Sequence, residues 1–244
     1  MAVYAKQYGR TGNNLFQKAA AIGYAMKHGL QYNLSPNLPI GARSNHSAIC
    51  IKEGGHQYQE LPTYRAKNVV PTILDGYWQS EKYFAHCRAE VLNAFGFKWA
   101  LIPNICSIHL RRGDYLLYPD KHPVINEKYL DKAIAYMGQK VGINTFIVFS
   151  DDIPYTRELI KSRLYYGCSF EFMEGRTENE DLTVMSCCEH NIISNSTFSW
   201  WAAWLNQNPK KVIISPSKDN WFGPGNSNLC TDDIIPDSWI QIKY

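Results

Sequence analysis

Residues 144–164 read NTFIVFSDDIPYTRELIKSRL. A short apolar run stops at a polar Ser-Asp-Asp turn, and a helical pattern begins at once. Pro154 suits the first turn of that helix, where its missing N–H costs little. Leu159, Ile160 and Leu164 then recur on one face and predict a buried stripe. A strand feeding a helix in this way is the repeating unit of a parallel sheet.

The unit recurs on both sides of this stretch. ICSIHL (105–110) predicts a buried strand, and Tyr129, Leu130, Ala133, Ile134 and Met137 follow at helical spacing. CSFEFM (168–173) predicts a third strand. Thr177 and Glu180 form a T-x-x-E capping box ahead of a helix carrying Leu182, Met185 and Ser186. NIIS (191–194) predicts a fourth strand, FSWWAAWLNQ (198–207) a helix ending before Pro209, and KVIIS (211–215) a fifth strand. The expected fold class is α/β, its C-terminal half a doubly wound parallel sheet.

The first half is less regular. Residues 14–28 place Leu15, Ala19, Ile22 and Met26 on one helical face, behind a GRTGNN loop at 9–14. Positions 31–68 are polar and spotted with Pro and Gly, and predict no particular element. Residues 69–74 predict a strand, and SEKYFAHCRAEVLNAF (80–95) a single helix. The boundary is expected near WALIPN (99–104), giving domains 1–103 and 104–244.

Composition excludes several classes. A net charge of +3, with no run of five like charges, argues against a general nucleic-acid or membrane-surface binder. The N-terminus lacks the apolar stretch of a signal peptide, and no run is long enough for a membrane span. A cytoplasmic location is the expectation. The 7 Cys are scattered and odd in number, which predicts mostly buried reduced thiols. Cys187-Cys188 lacks metal-site spacing. Trp200, Trp201 and Trp204 lie within one helical turn and predict core.

Three polar clusters follow predicted strands, where open parallel sheets bind ligands. They are Arg111-Arg112-Gly113-Asp114, Ser150-Asp151-Asp152, and SNSTFS (194–199), which opens a helix. Arginine is a planar fork of donors matched to phosphate oxygens. A Ser/Thr-rich helix start offers hydroxyls, free N–H groups and a positive dipole end. A carboxylate such as Asp151 suits the N–H donors of guanine. Together they describe a pocket for a guanosine diphosphate, without a Walker loop. Plainer roles stand beside these: Arg112 pairing with Asp114 or another carboxylate, Asp152 capping the next helix, His109 as a satisfied core residue.

Motifs along most of the chain resemble those of the α-1,2-fucosyltransferases, glycosyltransferase family 11. GRTGNNLFQKAAAIGYA is similar to that family's Gly-rich opening and GYWQSEKYF (76–84) to its central segment. HLRRGDY (109–115), FSDDI (149–153), residues 180–206 and the Trp-Phe pair at 221–222 follow in order.

The resemblance implies a GT-B-like fold of two Rossmann-like halves, with the acceptor side in the first. It implies GDP-β-L-fucose as donor and a galactose-terminated glycan acceptor linked through O-2. Transfer would invert the anomeric centre and use no metal or other cofactor. By residue, Arg111 would grip the β-phosphate, His109 the nucleoside and Asp151 the guanine. Ser196, Thr197 and Phe198 would line the diphosphate and base, and Arg112 and Gly12 belong to the same donor-binding set. Asn13 would lie near the fucose or its acceptor, and Asp114 is a candidate for the base.

The chain departs from the family pattern at Thr11, Asn14 and Lys18, and is short for the family in its first half. Two alternatives stay open: an inactive GDP-sugar or glycan-binding protein, and a transferase of another GDP-hexose.

Overall fold

The computed structural model describes residues 2–38, 48–62 and 70–244. The chain forms two compact units: Met1–Phe97 with Leu229–Pro236, and Lys98–Asn228 with Asp237–Tyr244. The division falls at Phe97/Lys98, and Leu229–Pro236, which the sequence grouped with the second domain, lies with the first.

In the first unit, β1 (Ala2–Ala5) leads into α1 (Thr11–His28). The strands β2 (Gln31–Tyr32), β3 (Ile49–Lys52) and β4 (Thr72–Asp75) follow, and α2 (Arg88–Phe95) closes the run. The four strands form one parallel sheet in the order β2-β1-β4-β3. Thus the unassigned stretch 31–68 holds two short strands, while 39–47 and 63–69, including the start of the strand expected at 69–74, lie outside the described residues.

Two expectations change here. The GRTGNN segment is not all loop: α1 begins at Thr11, and the Asn14 N–H closes its first turn on the Arg10 carbonyl at 3.0 Å. Gly12 and Asn13 are therefore helical. The helix expected over 80–95 is broken into two 3-10 turns, Glu81–Tyr83 and Ala85–Cys87, before α2. Phe84 causes the break. Its φ of −142° with ψ of −3° leaves the helical range, and its buried ring packs on Phe16 of α1 with centroids 6.1 Å apart.

The second unit runs β5 (Ile102–Leu110), α3 (Glu127–Tyr136), β6 (Thr145–Ser150), α4 (Ile153–Ser162), β7 (Ser169–Phe172), α5 (Glu178–Cys187), β8 (Cys188–Ile192), α6 (Thr197–Leu205), β9 (Ile213–Pro216) and β10 (Ile240–Ile242). All six strands are parallel, in the order β10-β9-β8-β5-β6-β7. The chain builds outward from β5 to β7, then returns to the other side of β5 with β8. That is the strand order of a Rossmann sheet, with its switch point between β5 and β8.

Two helix starts are capped as the sequence implied: Asp152 accepts an N–H of the first turn of α4, and Thr177 with Glu180 forms the full capping box. Asn126 and Ser196 cap α3 and α6 in the same way, without having been read as caps. β8 starts earlier than expected, directly after α5, so Ser194 lies past its end. β10 had no sequence signal assigned to it.

Trp200, Trp201 and Trp204 are core, and Trp239 joins them with its ring 5.3 Å from Trp200. All the cysteines are free, but only Cys106, Cys187 and Cys188 are buried, so thiol burial is less complete than expected. No helix among the described residues is long and apolar enough to cross a membrane.

Gly23 of α1 tests the close packing of the first unit. A Cβ there would sit 2.0 Å from the Tyr83 carbonyl oxygen. In an exposed helix Gly→Ala stabilises by about 1 kcal/mol. Here Gly23→Ala is expected to destabilise by about 1–3 kcal/mol through overpacking, read from the shift in urea midpoint.

Candidate active site

The site is built on the carboxyl ends of β5, β6 and β8. The β5–β6 register pairs Leu110 with Ser150, so Arg111 and Asp151 are the next residues along on adjacent strands. Their side chains meet: Arg111 Nη1 lies 2.8 Å from Asp151 Oδ2. The Arg111 Nη2 donates to Asp114 Oδ1 at 2.5 Å. A guanidinium has five N–H donors, and among the described residues these two contacts leave three of them open. The Tyr115 ring backs the fork, its centroid 5.7 Å from Arg111 Cζ.

Arg112 turns the other way. Its backbone N–H donates to Asp151 Oδ1 at 2.8 Å and its Nε to Asp152 Oδ2 at 3.1 Å. The guanidinium carbon sits 3.2 Å from the centre of the Tyr155 ring. Asp152 keeps its capping role as well, since Oδ1 accepts the Tyr155 N–H. Arg112 is thus paired with Asp152, and it is Arg111 that takes Asp114. Gly113 is explained by the same carboxylate: a Cβ there would lie 2.3 Å from Asp151 Oδ2.

His109 precedes the arginines on β5 and is buried. Its Nδ1 lies 2.9 Å from Ser194 Oγ, and its ring is 5.6 Å from that of Phe198. Burial depresses its pKa to about 4, against a smaller opposing pull from Asp151. The imidazole is therefore neutral at physiological pH. It links the end of β5 to the start of α6, where Ser196 Oγ accepts the Phe198 N–H. Thr197 and Phe198 are half-buried on that first turn.

Tyr115, quoted in the motif but given no role by the sequence, ties these parts together. Burial pushes its phenol up to about 12, so it stays protonated. The hydroxyl donates to the Asn195 carbonyl at 2.9 Å, one residue before the Ser196 cap. His122 stacks on the Tyr115 ring at 4.8 Å, and the Phe222 ring lies 5.9 Å from His122. Asn195 in turn donates to the carbonyls of Pro123 and Trp221, which gives the Trp221-Phe222 landmark a structural purpose.

Gly12 and Asn13 belong to the first unit. Asn13 Oδ1 accepts from Gln79 Nε2 at 2.9 Å, joining the start of α1 to the loop after β4. Gly9, at φ 73°, makes room for the Asn13 amide, which a Cβ there would approach to 2.4 Å. His109, Arg111, Arg112, Asp114, Asp151, Ser196, Thr197 and Phe198 all fall in the second unit, at or beside these strand ends.

The model of Glycosyl transferase family 11 matches residues 61–242. The chain belongs to this family. An α-1,2-colitosyltransferase of Escherichia coli is 30% identical over 211 residues, covering 80% of this chain and 71% of that protein. The O-antigen biosynthesis glycosyltransferase WbnK of Escherichia coli is 38% identical over 146 residues, covering 57% and 45%. A galactoside α-(1,2)-fucosyltransferase 2 of Oryctolagus cuniculus is 26% identical over 230 residues, covering 81% and 65%. The chain therefore spans from under half to just over two thirds of these relatives' lengths. Among solved structures, a variant of Arabidopsis thaliana FUT1 in complex with GDP aligns with a TM-score of 0.50 at 12% identity, over 91% of this chain and 73% of that one. The fold is GT-B-like, and membership of the family makes the protein a glycosyltransferase.

The buried neutral His109 predicts an acid limb in stability. Above pH 6.5 it is neutral in both folded and unfolded chains and adds no pH dependence. Between 6.5 and about 4 the unfolded chain takes up the proton and the folded chain does not. Stability is thus lost as pH falls through that window, by about 3 kcal/mol at most. His109→Gln is expected to flatten this limb in urea titrations at pH 4.5 and 7.

Proposed function

We propose that the protein transfers L-fucose from GDP-β-L-fucose to a glycan hydroxyl, O-2 of a galactoside, with inversion and without a metal ion. The observation that carries this reading is the Arg111 fork. It is held at the carboxyl end of β5, next to the switch point, by two carboxylates, and among the described residues keeps three N–H donors open. The relatives named for α-1,2 transfer of fucose support the linkage and the donor.

In the proposed reaction the acceptor oxygen forms a bond to the fucose anomeric carbon from the face opposite the nucleotide. The bond to the β-phosphate oxygen breaks, and GDP leaves with the electron pair. The hydroxyl proton passes to solvent or a base. Negative charge grows on the diphosphate, and Arg111 meets it with a preorganised fork. The Ser196 and Thr197 hydroxyls and the dipole end of α6 add to the same field. Asp151 holds Arg111 in place, and its remaining lone pairs are open to the N–H edge of a guanine. His109, being neutral, adds no charge near the nucleoside. Asp114 acts as a positioning residue on the fork.

A second reading keeps the mechanism and changes the sugar to colitose, since the relative covering 71% of its own length is a colitosyltransferase. Competition between the two donors separates these cases.

Three outcomes are expected. GDP raises the melting temperature equally in EDTA and in magnesium; no stabilisation at millimolar GDP would sink the reading. Arg111→Ala and Arg111→Lys both lower kcat by about 10²–10³, because a point charge does not replace the fork. Asp114→Asn lowers kcat by about tenfold, against the 10²–10⁴ expected for loss of a general base.

A further inference from the structure

The first unit has a switch point of its own. In the order β2-β1-β4-β3 the chain leaves β1 for β2 on one side, and β4 occupies the other. The crevice between the carboxyl ends of β1 and β4 is where such a sheet binds a ligand. Lys6 and Tyr8 follow β1, Asp75 ends β4, and Tyr77 comes just after it.

Tyr8 is 39% exposed, yet every handle it has is held. Its N–H donates to Gln17 Oε1 at 2.9 Å, and its carbonyl accepts from Gln17 Nε2 at 3.4 Å. Gln17 itself is wholly buried. The phenol donates to Asp75 Oδ1 at 2.6 Å, and Asp75 Oδ2 takes Lys6 Nζ at 2.6 Å. Fixing an exposed aromatic side chain costs rotamer entropy and recovers little burial. What it gains is a preformed surface.

The neighbours are fixed in the same manner. The Tyr77 ring lies 6.2 Å from that of Tyr8 and stacks on His56 at 5.4 Å. Glu53 accepts the N–H groups of Tyr77 and Trp78 at 2.6 and 2.9 Å. His56 and Trp78 both hold positive φ, at 62° and 56°, a strained state that folds retain where the surroundings over-determine it.

The chemistry of the patch selects a ligand class. Lys6 and Asp75 neutralise each other, and Lys52, which also acts on Asp75, is offset by Glu53 beside Tyr77, so the edge of Tyr8 presents hydrogen-bonding groups with balanced charge. A pyranose fits this description. One face of its ring is a sheet of C–H groups that packs on an aromatic face, and its rim carries hydroxyls that both donate and accept.

We propose that Tyr8, with Tyr77 beside it and the Lys6–Asp75 pair at its edge, is the stacking platform for a neutral pyranose ring of the acceptor glycan. Calling that ring the acceptor rests on the transfer reading above; the platform itself does not.

The test is saturation-transfer NMR on the full chain with lactose as the probe, run beside GDP thermal shifts. Wild type is expected to bind lactose. Tyr8→Ala should weaken it by about tenfold, the cost of one lost aromatic contact, while the GDP shift stays unchanged. Tyr8→Phe keeps the ring and loses only the Asp75 anchor, so about a threefold loss is expected. Arg111→Ala should leave lactose binding as it is. Where Tyr8→Ala fails to fold by circular dichroism, Tyr8→Leu keeps the bulk without the aromatic face and should weaken lactose likewise. Undiminished lactose binding in a folded Tyr8→Ala or Tyr8→Leu overturns the proposal, as does absence of lactose binding to wild type. Lactose binding with no GDP response would sink the donor reading alone.

Discussion

The Asp151 carboxylate is the joint on which the carboxyl-end rim of the second sheet depends. One oxygen pairs with the Arg111 fork and the other accepts the Arg112 backbone N–H. Ordering two long cationic side chains at a partly exposed strand end is costly. It is achieved here because sheet register delivers the carboxylate to the right place. Leu110 and Ser150 are paired across β5 and β6, so the next residues on each strand meet without any loop to be trained. The glycine between Arg112 and Asp114 follows from the same closeness. Asp152 then serves the second arginine while capping α4, so two adjacent acids fix both cations and one helix start.

Around that joint the Rossmann order supplies the rest. β8 returns beside β5, and the turn after it reaches His109 through Ser194. The contact would be awkward for a charged imidazole, because Arg111 is close and water is excluded. Burial keeps it neutral and makes it a spacer of fixed shape. Tyr115 adds a second link from the arginine loop to the start of α6, and its stack with His122 and Phe222 secures the loop from behind. The charged fork is thus held at its tip by acids and along its side by aromatic rings.

The second unit was the legible half of the sequence. Its apolar runs are bounded by turn residues, its helices begin with capping residues, and its polar clusters fall just past strand ends. Local chemistry and tertiary structure agree there except at Leu164, which was expected in the buried stripe of α4 but is exposed past the end of the helix, and the five predicted strands appear with small shifts in their bounds. What escaped notice depends on distant partners. β10 is three residues long and is paired only with β9. Phe84 interrupts a good helical pattern because its ring is needed against Phe16. The pairing of Arg111 rather than Arg112 with Asp114 is decided by the twist of one turn, which residue spacing does not encode. The candidate site follows the same rule: the placement of the polar clusters at strand ends is written in the local sequence, whereas the role of Tyr115 depends on its ring and its hydroxyl facing different partners.

The segment Leu229–Pro236 is a small detour with a large effect on how the molecule can be divided. It lies with the first unit before the chain returns to finish the second sheet with β10. Its Ile234 and Ile235 are buried, and its Asp233 receives the Tyr58 N–H and pairs with Lys82. The backbone therefore passes between the units three times, at 97/98, 228/229 and 236/237. Neither half is a severable module. A fragment ending at Phe97 would lose the Asp233 contacts to Tyr58 and Lys82 and open an apolar gap, and one beginning at Lys98 would carry a length of chain whose proper neighbours are missing.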